Sequence, residues 1–346
     1  MIGTLGMIEL ILTITGSTKT YIEKRSGFYK SLYNHQYYDS IQAYTPDKPY
    51  YLSTPEYNFP RFSNQWGFSD HDFYRDTTKI LIQTYGDSYT EGDGAPFDSS
   101  YPAILRSLLG NDYQVQNYGI CGNDPGFYVT QFRKIGTRYK PNVIVLSYSI
   151  FDFVHDLLTR GGLERFTSNG WKEPKGPWWE FLYAINYTVR YAFHAAGITY
   201  WNGFYTEKEK ERRLEELKPK WNEIFAELDR LAQANGCRVL LVKRPEQNEI
   251  VDNRYAYNMV FFDTFVAKHT QFYHVDLLPF YRDSAGIKTP QDAKPYFWQK
   301  DGHHNANGYF LLARAVYAAI LKMYEQENID NGQRQVSAGQ SPSGSP

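Results

Sequence analysis

Cysteine is scarce in this chain, and so is net charge. Cys121 and Cys237 are the two cysteines among 346 residues, which excludes a disulfide framework and a cysteine-rich metal site. The 37 basic and 38 acidic side chains leave a net charge of −1 at pH 7. Proteins that bind nucleic acid need a basic face or stripe, so this balance gives no support for a nucleic-acid partner.

A long hydrophobic run is also missing. The apolar residues 1–16 include Glu9 and are fewer than the roughly 20 that span a bilayer. They also lack the basic leader of a secretory signal. A truncated membrane anchor, a partial export signal and an amphipathic packing helix all fit this stretch. We expect the anchor, and hence an exported or membrane-attached bacterial protein; otherwise the protein is cytoplasmic.

Aromatic residues, in contrast, are abundant, at 17% of the chain with 31 Tyr and 22 Phe. Their flat faces and polar tips suit sugar rings, and also protein or membrane interfaces; we favour a carbohydrate-linked ligand. Four tryptophans lie in residues 153–205, namely Trp171, Trp178, Trp179 and Trp201. This segment is too long for a simple connection. It is either a lid or pocket beside a site, or an aromatic mini-core that shields a sheet edge.

The composition divides the chain into four parts. Residues 1–16 are the possible anchor, and residues 17–78 form a Tyr-rich, irregular arm that docks on the main domain. Residues 79–327 form that domain, with the insertion at 153–205. Residues 328–346 are polar and rich in Ser, Gly and Pro, which predicts disorder.

Five apolar, β-prone runs predict the strands of a parallel α/β sheet. They are 79–85, 113–117, 142–147, 238–243 and 272–276, and helical patterns lie between them. Parallel sheets carry their chemistry at the carboxyl ends of their strands. The residues that follow these runs are therefore the candidates for a functional site.

Ser88 directly follows the first of these strands, in the run Gly86-Asp87-Ser88-Tyr89-Thr90-Glu91-Gly92. A serine at such a strand end is a candidate nucleophile. Gly-Asp-Ser is also a common turn sequence, so the motif needs partners before it indicates catalysis.

A second motif near the C-terminus supplies such partners. Asp301 and His304 lie three residues apart, before an apolar helical pattern. That spacing lets the carboxylate hold one imidazole nitrogen while the other nitrogen faces a serine. His303 is the nearest rival for the histidine, and spacing favours His304. The alternative is a turn in which Asn305 or Asn307 caps the helix.

Together the two motifs resemble the SGNH/GDSL hydrolase superfamily, over roughly residues 60–325. The resemblance implies a flavodoxin-like, three-layer α/β/α sandwich with a five-stranded parallel sheet in the order 2-1-3-4-5. It implies Ser88 as the nucleophile, His304 as the general base and Asp301 as the group that orients it. No metal or organic cofactor is needed for this chemistry.

The resemblance also implies an oxyanion hole. Its glycine matches Gly122, and Ser88 contributes a backbone N–H. The third family block carries an Asn before an Asp, but here Phe151 precedes Asp152. Loss of one oxyanion donor costs on the order of 10²–10³ in rate. Asn123 is the candidate substitute donor.

The sequence therefore predicts a serine esterase that hydrolyses a short acyl ester, such as an O-acetyl group, on a glycan or small molecule. An O-acyltransferase that uses the same three residues to modify a polysaccharide is a second hypothesis. A catalytically impaired glycan- or protein-binding member is a third. The sequence does not indicate an oligomeric state.

Overall fold

The computed structural model describes residues 2–15, 43–151, 154–155, 157–167, 170–171, 178–198, 205–257, 264, 266, 269 and 272–339. Trp201 and residues 17–42 of the expected arm lie outside these residues. The strands are β1 Pro49–Ser53, β2 Asn58–Phe62, β3 Ile80–Tyr85, β4 Tyr113–Asn117, β5 Val143–Tyr148, β6 Phe166–Thr167, β7 Gly170–Trp171, β8 Arg238–Lys243 and β9 Phe272–Asp276. The α-helices are α1 Ile2–Thr15, α2 Ser88–Glu91, α3 Tyr101–Leu109, α4 Pro125–Lys134, α5 Leu157–Arg160, α6 Glu180–Ile185, α7 Tyr187–Ala195, α8 Glu207–Arg212, α9 Leu214–Asn235, α10 Gln247–Asp252, α11 Pro290–Ala293 and α12 Ala306–Gly339.

A five-stranded sheet in the order β4-β3-β5-β8-β9 forms the centre of the molecule, and every pairing in it is parallel. Counted along the chain, this is the expected order 2-1-3-4-5. The observed strands match the five predicted runs to within one residue at each end. The predicted parallel α/β fold is therefore confirmed.

Alternate residues of the central strands enter two separate cores, one on each face of the sheet. In β5, Ile144 and Leu146 pack with α9 residues such as Trp221. Their neighbours Val143 and Val145 pack on the other face, with α3 and α12. Because side chains alternate along a strand, a sheet covered on both faces needs continuous apolar runs. The strands could therefore be predicted from the sequence as continuous apolar runs. The two cores, one on each face of the sheet, confirm the three-layer arrangement.

The described part of the N-terminal arm is more regular than predicted. β1 and β2 form an antiparallel hairpin, closed by a hydrogen bond from Thr54 N to Tyr57 O at 2.9 Å. Tyr, Leu and Phe favour strands, and a two-stranded hairpin leaves edges on which Pro49 and Pro60 are tolerated. The abundance of Tyr and Pro in the arm is therefore compatible with a hairpin.

Both ends of the described chain are helical. Among the described helices, none combines the length and apolar character that crossing a bilayer requires. Helix α12 continues to Gly339, inside the segment 328–346 for which we predicted disorder. Gln and Arg in that segment are good helix formers and extend the packed helix before them. Residues 340–346 lie outside the described part of the chain.

Candidate active site

Ser88 is the first residue of α2, immediately beyond the end of β3. Asp87 caps the helix by accepting a hydrogen bond from Tyr89 N at 2.9 Å, and it also pairs with buried Arg244 at 2.9 Å. A Cβ at Gly86 would collide with the Thr90 side chain and lie 2.9 Å from Ser147 O. The turn therefore requires glycine at 86, and it holds Ser88 rigidly at the strand end.

Ser88, His303 and Asp301 form one chain of hydrogen bonds. Ser88 Oγ lies 2.7 Å from His303 Nε2, and His303 Nδ1 lies 2.5 Å from Asp301 Oδ1. A carboxylate accepts only, so Nδ1 carries the proton and Nε2 is free to accept the serine proton. This is the arrangement that activates a serine nucleophile.

The assignment of His304 as the base is wrong, because His304 lies in the core. It is fully buried, and its ring packs against Phe297 and Tyr309. Burial and the charges of Arg244 and His303 hold the pKa of His304 well below its usual value. Gly302, with φ of +88°, reverses the chain and brings residues 301 and 303 to the same side. Residue spacing alone does not predict this turn.

Asp301 is held in place by the N-terminal hairpin. Tyr57 donates to Asp301 Oδ1 at 3.1 Å. The Glu56 carboxylate accepts the backbone N–H of Gln299 at 3.2 Å, of Lys300 at 2.8 Å and of Asp301 at 2.7 Å. Glu56 and Tyr57 were missed from the sequence, and no local signal marks them, because their partners are over 240 residues away.

The carboxylates around His303 favour its charged form. Burial alone lowers the pKa of His303, but the Asp301 hydrogen bond and the charges of Asp93, Asp301 and Asp87 outweigh it and raise the pKa above the usual value. Burial likewise raises the pKa of Asp301, but the His303 hydrogen bond and charge bring it below its usual value. The site therefore stabilises an imidazolium next to an ionised carboxylate.

Gly122 and Asn123 lie in the loop after β4, and side chains of other segments hold this loop in place. Asp124 caps α4, and buried Arg165 pairs with both of its carboxylate oxygens at 2.6 Å. Arg160 donates to Gly122 O at 2.5 Å. Within the described residues, the backbone N–H groups of Ser88 and Gly122 have no hydrogen-bond acceptor. Two unused donors thus remain in the segments that resemble the oxyanion blocks.

The Asn123 side chain is fully buried, and neither its Nδ2 nor its Oδ1 has a hydrogen-bond partner in the described structure. A buried amide without partners is costly and calls for a functional explanation. Phe151, at the position where the family has Asn, is 44% exposed and stacks on His155 at 4.7 Å.

The buried acid Glu91 also makes a hydrogen bond to the loop that contains Gly122 and Asn123. Glu91 accepts from Tyr50 at 2.9 Å and from Cys121 N at 2.6 Å. Burial and the nearby Asp93 raise the pKa of Glu91 to about 8. Burial and the carboxylates of Asp93, Glu91 and Asp87 also raise the pKa of the Cys121 thiol, which stays protonated and packs as a small side chain.

The raised pKa of Glu91 predicts a pH-dependent stability. Between its ordinary value of 4.5 and about 8, the folded chain retains a proton that the unfolded chain loses, so stability falls as pH rises through this window. Glu91→Gln mimics the protonated acid. We expect the melting temperature of the variant to equal that of the wild type at pH 5 and to exceed it by about 3 °C or more at pH 8. Exposed Glu223→Gln is the control, and equal melting curves at pH 8 for the wild type and Glu91→Gln contradict the assignment.

The described residues contain no group of three or more His, Cys, Asp or Glu side chains placed to hold a metal ion. The polar groups around Ser88 are instead joined to one another by hydrogen bonds. What the arrangement offers chemically is a nucleophile, a base and backbone donors.

Several solved structures are similar to this chain. TesA is 16% identical, and the match covers 69% of this chain and 97% of TesA with a TM-score of 0.38. CEX, a two-domain esterase active on acetylated mannans, is 15% identical over 70% of this chain and 49% of CEX, with a TM-score of 0.41. A catalytic mutant of Axe2, an acetylxylan esterase from Geobacillus stearothermophilus, is 17% identical over 71% of this chain and 96% of Axe2, with a TM-score of 0.40.

No protein family and no curated protein matches the sequence. The case for the chemistry is therefore made from the side chains of this chain.

Proposed function

We propose that this protein is a serine esterase of the SGNH/GDSL type. The observation that carries the proposal is the continuous hydrogen-bond chain from Ser88 through His303 to Asp301, at 2.7 and 2.5 Å. The three residues come from opposite ends of the domain, and a carboxylate on Nδ1 with a hydroxyl on Nε2 is what serine activation needs.

In the proposed mechanism, Ser88 Oγ attacks the ester carbonyl carbon as its proton moves to His303 Nε2. Asp301 stabilises the imidazolium that forms. The backbone N–H groups of Ser88 and Gly122, with the Asn123 amide, stabilise the oxyanion. The imidazolium then gives its proton to the leaving alkoxide, which departs as the alcohol. Water attacks the acyl enzyme with His303 again as base, and it releases the acid and free Ser88.

We propose a short acyl ester, such as an O-acetyl group, on a glycan as the substrate. A cavity of about 750 Å³ lies between hairpin β1–β2 and residues 70–72. Its lining combines the rings of Phe62 and Phe97 with the carboxylates of Asp47 and Asp72. Apolar rings beside hydrogen-bond acceptors suit sugar rings with their hydroxyl groups. Arg61, also in the lining, donates to Gly92 O in the loop after α2. The lining does not include Ser88, His303 or Gly122, so we assign the cavity to sugar units away from the scissile ester.

The test is covalent labelling by an aryl fluorophosphonate, together with p-nitrophenyl acetate hydrolysis. We expect one label per chain, on Ser88, and a parallel loss of turnover as labelling proceeds. Ser88→Ala should neither label nor turn over. A wild-type protein that does not label would favour the binding-protein hypothesis. Labelling at a different residue would contradict the assignment of Ser88.

An O-acyltransferase would share the first half of this mechanism and differ in the group that accepts the acyl chain. In that case a sugar hydroxyl, rather than water, attacks the acyl enzyme. The two are separated by product analysis with and without a sugar acceptor. Acylated sugar formed at the expense of free acid would identify the transferase.

The charges around His303 predict the acid side of the pH profile. His303 must be neutral to act as base, so kcat/KM falls as pH drops through its raised pKa, at a midpoint above 6.5. The ionised Asp93 contributes to that rise, so Asp93→Asn should move the midpoint to lower pH. Asp98→Asn, an exposed change in the next turn of chain, is the control. Identical midpoints for Asp93→Asn and the wild type would disprove the electrostatic role.

A further inference from the structure

Helices α1, α6 and α7 form a small unit in which partly buried Glu9 and buried Arg190 lie at the contacts between helices. Glu9 of α1 accepts hydrogen bonds from the backbone N–H groups of Tyr187 and Thr188, both at 2.8 Å, and from Thr188 Oγ1 at 2.7 Å. It therefore caps the N-terminus of α7, where a carboxylate also meets the positive end of the helix dipole. The one charged residue of α1 thus makes hydrogen bonds to a neighbouring helix.

Arg190 of α7 is the second charge in the interior of the unit. Its side chain is 2% exposed, and Nε donates to Tyr183 O at 3.0 Å. Its guanidinium lies over the rings of Tyr187, at 4.9 Å, and Tyr183, at 5.5 Å. Burial raises the pKa of Glu9, but the hydrogen bonds from Tyr187 and Thr188, together with the charge of Arg190, bring it below its usual value. Glu9 is therefore held as a carboxylate at the contact between α1 and α7.

The outer surface of α1 has the opposite character. Met7, Leu10, Ile11 and Ile14 are spaced by three and four residues, so they form one stripe on the helix, opposite Glu9. They are 63%, 58%, 53% and 75% exposed. An ordinary surface helix turns such a stripe toward the core. In α1 it faces outward.

Helices α6 and α7, in the same unit, also carry exposed apolar residues. Trp178, just before α6, is 84% exposed, and Tyr191 of α7 is 64% exposed. Phe181 and Leu182 of α6 are exposed as well. We call the exposed set the apolar platform; it comprises Met7, Leu10, Ile11, Ile14, Trp178, Phe181, Leu182 and Tyr191. Patches of this kind mark interaction sites.

We propose that the apolar platform docks into the interfacial region of a lipid bilayer. A unit that uses Glu9 and Arg190 in contacts between its helices, and exposes apolar side chains, suits apolar surroundings. Trp and Tyr are the residues enriched at the boundary between lipid headgroups and acyl chains.

Charge supports the same occupant. Residues 17–30, which follow α1 in the sequence, contain Lys19, Lys24, Arg25 and Lys30 against one acidic residue, Glu23. Basic residues that follow an apolar interfacial helix in the sequence attract anionic headgroups. A contact with a second copy of this chain would not need this excess of basic residues. We therefore expect tighter binding to anionic than to neutral vesicles.

The test is flotation of the full chain with vesicles of phosphatidylcholine, with and without phosphatidylglycerol. We expect the wild type to float, most strongly with phosphatidylglycerol. The triple variant Leu10→Gln, Ile11→Gln, Ile14→Gln should bind about 10- to 100-fold more weakly. Gln is a good helix former at these exposed positions, so the melting temperature should not change. The matched control is Phe310→Gln with Leu321→Gln, which alters two exposed apolar residues of α12.

A second readout reports on α6. Vesicles with brominated acyl chains should quench the tryptophan fluorescence of the wild type, and Trp178→Phe should remove most of that quenching. A wild type that does not float, or a triple variant that floats as the wild type does, overturns the proposal. A dimer that the triple variant dissociates, without any vesicle binding, assigns the platform to a second copy. p-Nitrophenyl acetate turnover by the triple variant should equal that of the wild type, which separates this proposal from the esterase proposal.

Discussion

Replacement of His303 by glutamine is expected to lower kcat for p-nitrophenyl acetate by about 10⁴- to 10⁶-fold. Glutamine cannot take up the Ser88 proton and cannot become the cation that Asp301 stabilises. The His303 side chain is partly exposed, and its hydrogen bonds in the described structure are to Ser88 and Asp301, so the fold should survive the change. Steady-state kinetics and a melting curve on the same sample measure both effects. A kcat within tenfold of the wild type would disprove the role of His303 as base.

The neighbouring His304→Gln is the matched control, because it makes the same chemical change one residue away. His304 is buried among aromatic rings, and its Nδ1 has no partner in the described structure. We expect a lower melting temperature and a kcat per folded molecule within a few-fold of the wild type. The opposite pattern would restore the assignment that sequence spacing favours.

Replacement of Asn123 by alanine is expected to lower kcat/KM by about 10²- to 10³-fold. The chain has Phe151 where the superfamily it resembles has an oxyanion asparagine, and the exposed Phe151 ring stacks on His155. Asn123 adjoins Gly122, and its buried amide has no other use in the described structure. The assay is p-nitrophenyl acetate hydrolysis, in which the oxyanion forms on a small acyl group.

Stability distinguishes this role of Asn123 from a structural one. Alanine removes a buried amide that makes no hydrogen bond, so the free energy of unfolding should change little or rise. A structural asparagine would give the reverse result, with a lower melting temperature and nearly normal turnover. Gly122 offers no comparable test, because its φ of +72° makes any side chain there strained.

The sheet was predictable because each strand is buried on both faces and must be apolar along its whole length. Ser88 was predictable because a strand end is a local feature of the sequence. The histidine that bonds Ser88 was predicted at 304, whereas the structure has it at 303. The pattern Asp301-Gly302-His303-His304 contains both candidates, and the left-handed turn at Gly302 decides between them. Local spacing does not encode that turn.

The hairpin contacts were beyond sequence reasoning for a different reason. Glu56 and Tyr57 have no motif of their own, and their partners Lys300 and Asp301 lie about 244 residues later in the chain. Contacts of this kind depend on how the two segments meet in the complete fold. The contact of Glu9 with α7 was also not predictable from the sequence. There Glu9 only interrupts an apolar run, and its hydrogen bonds to α7 depend on the complete fold.

Glu56 and Tyr57 hold the loop at 299–301, so the order in which the chain is synthesised affects when the site can form. The ribosome produces the hairpin early and the histidine loop near the end, so nascent chains hold the nucleophile long before they hold its base. A fragment that begins at residue 63 would keep Ser88, His303, the whole central sheet and the buried rings of Phe68 and Phe73, yet Asp301 would lose the hairpin that holds it. Hydrolysis during cell-free translation should therefore begin only after Asp301 and His303 have left the ribosome. It should stay weak in the truncated chain until the hairpin is supplied as a separate peptide.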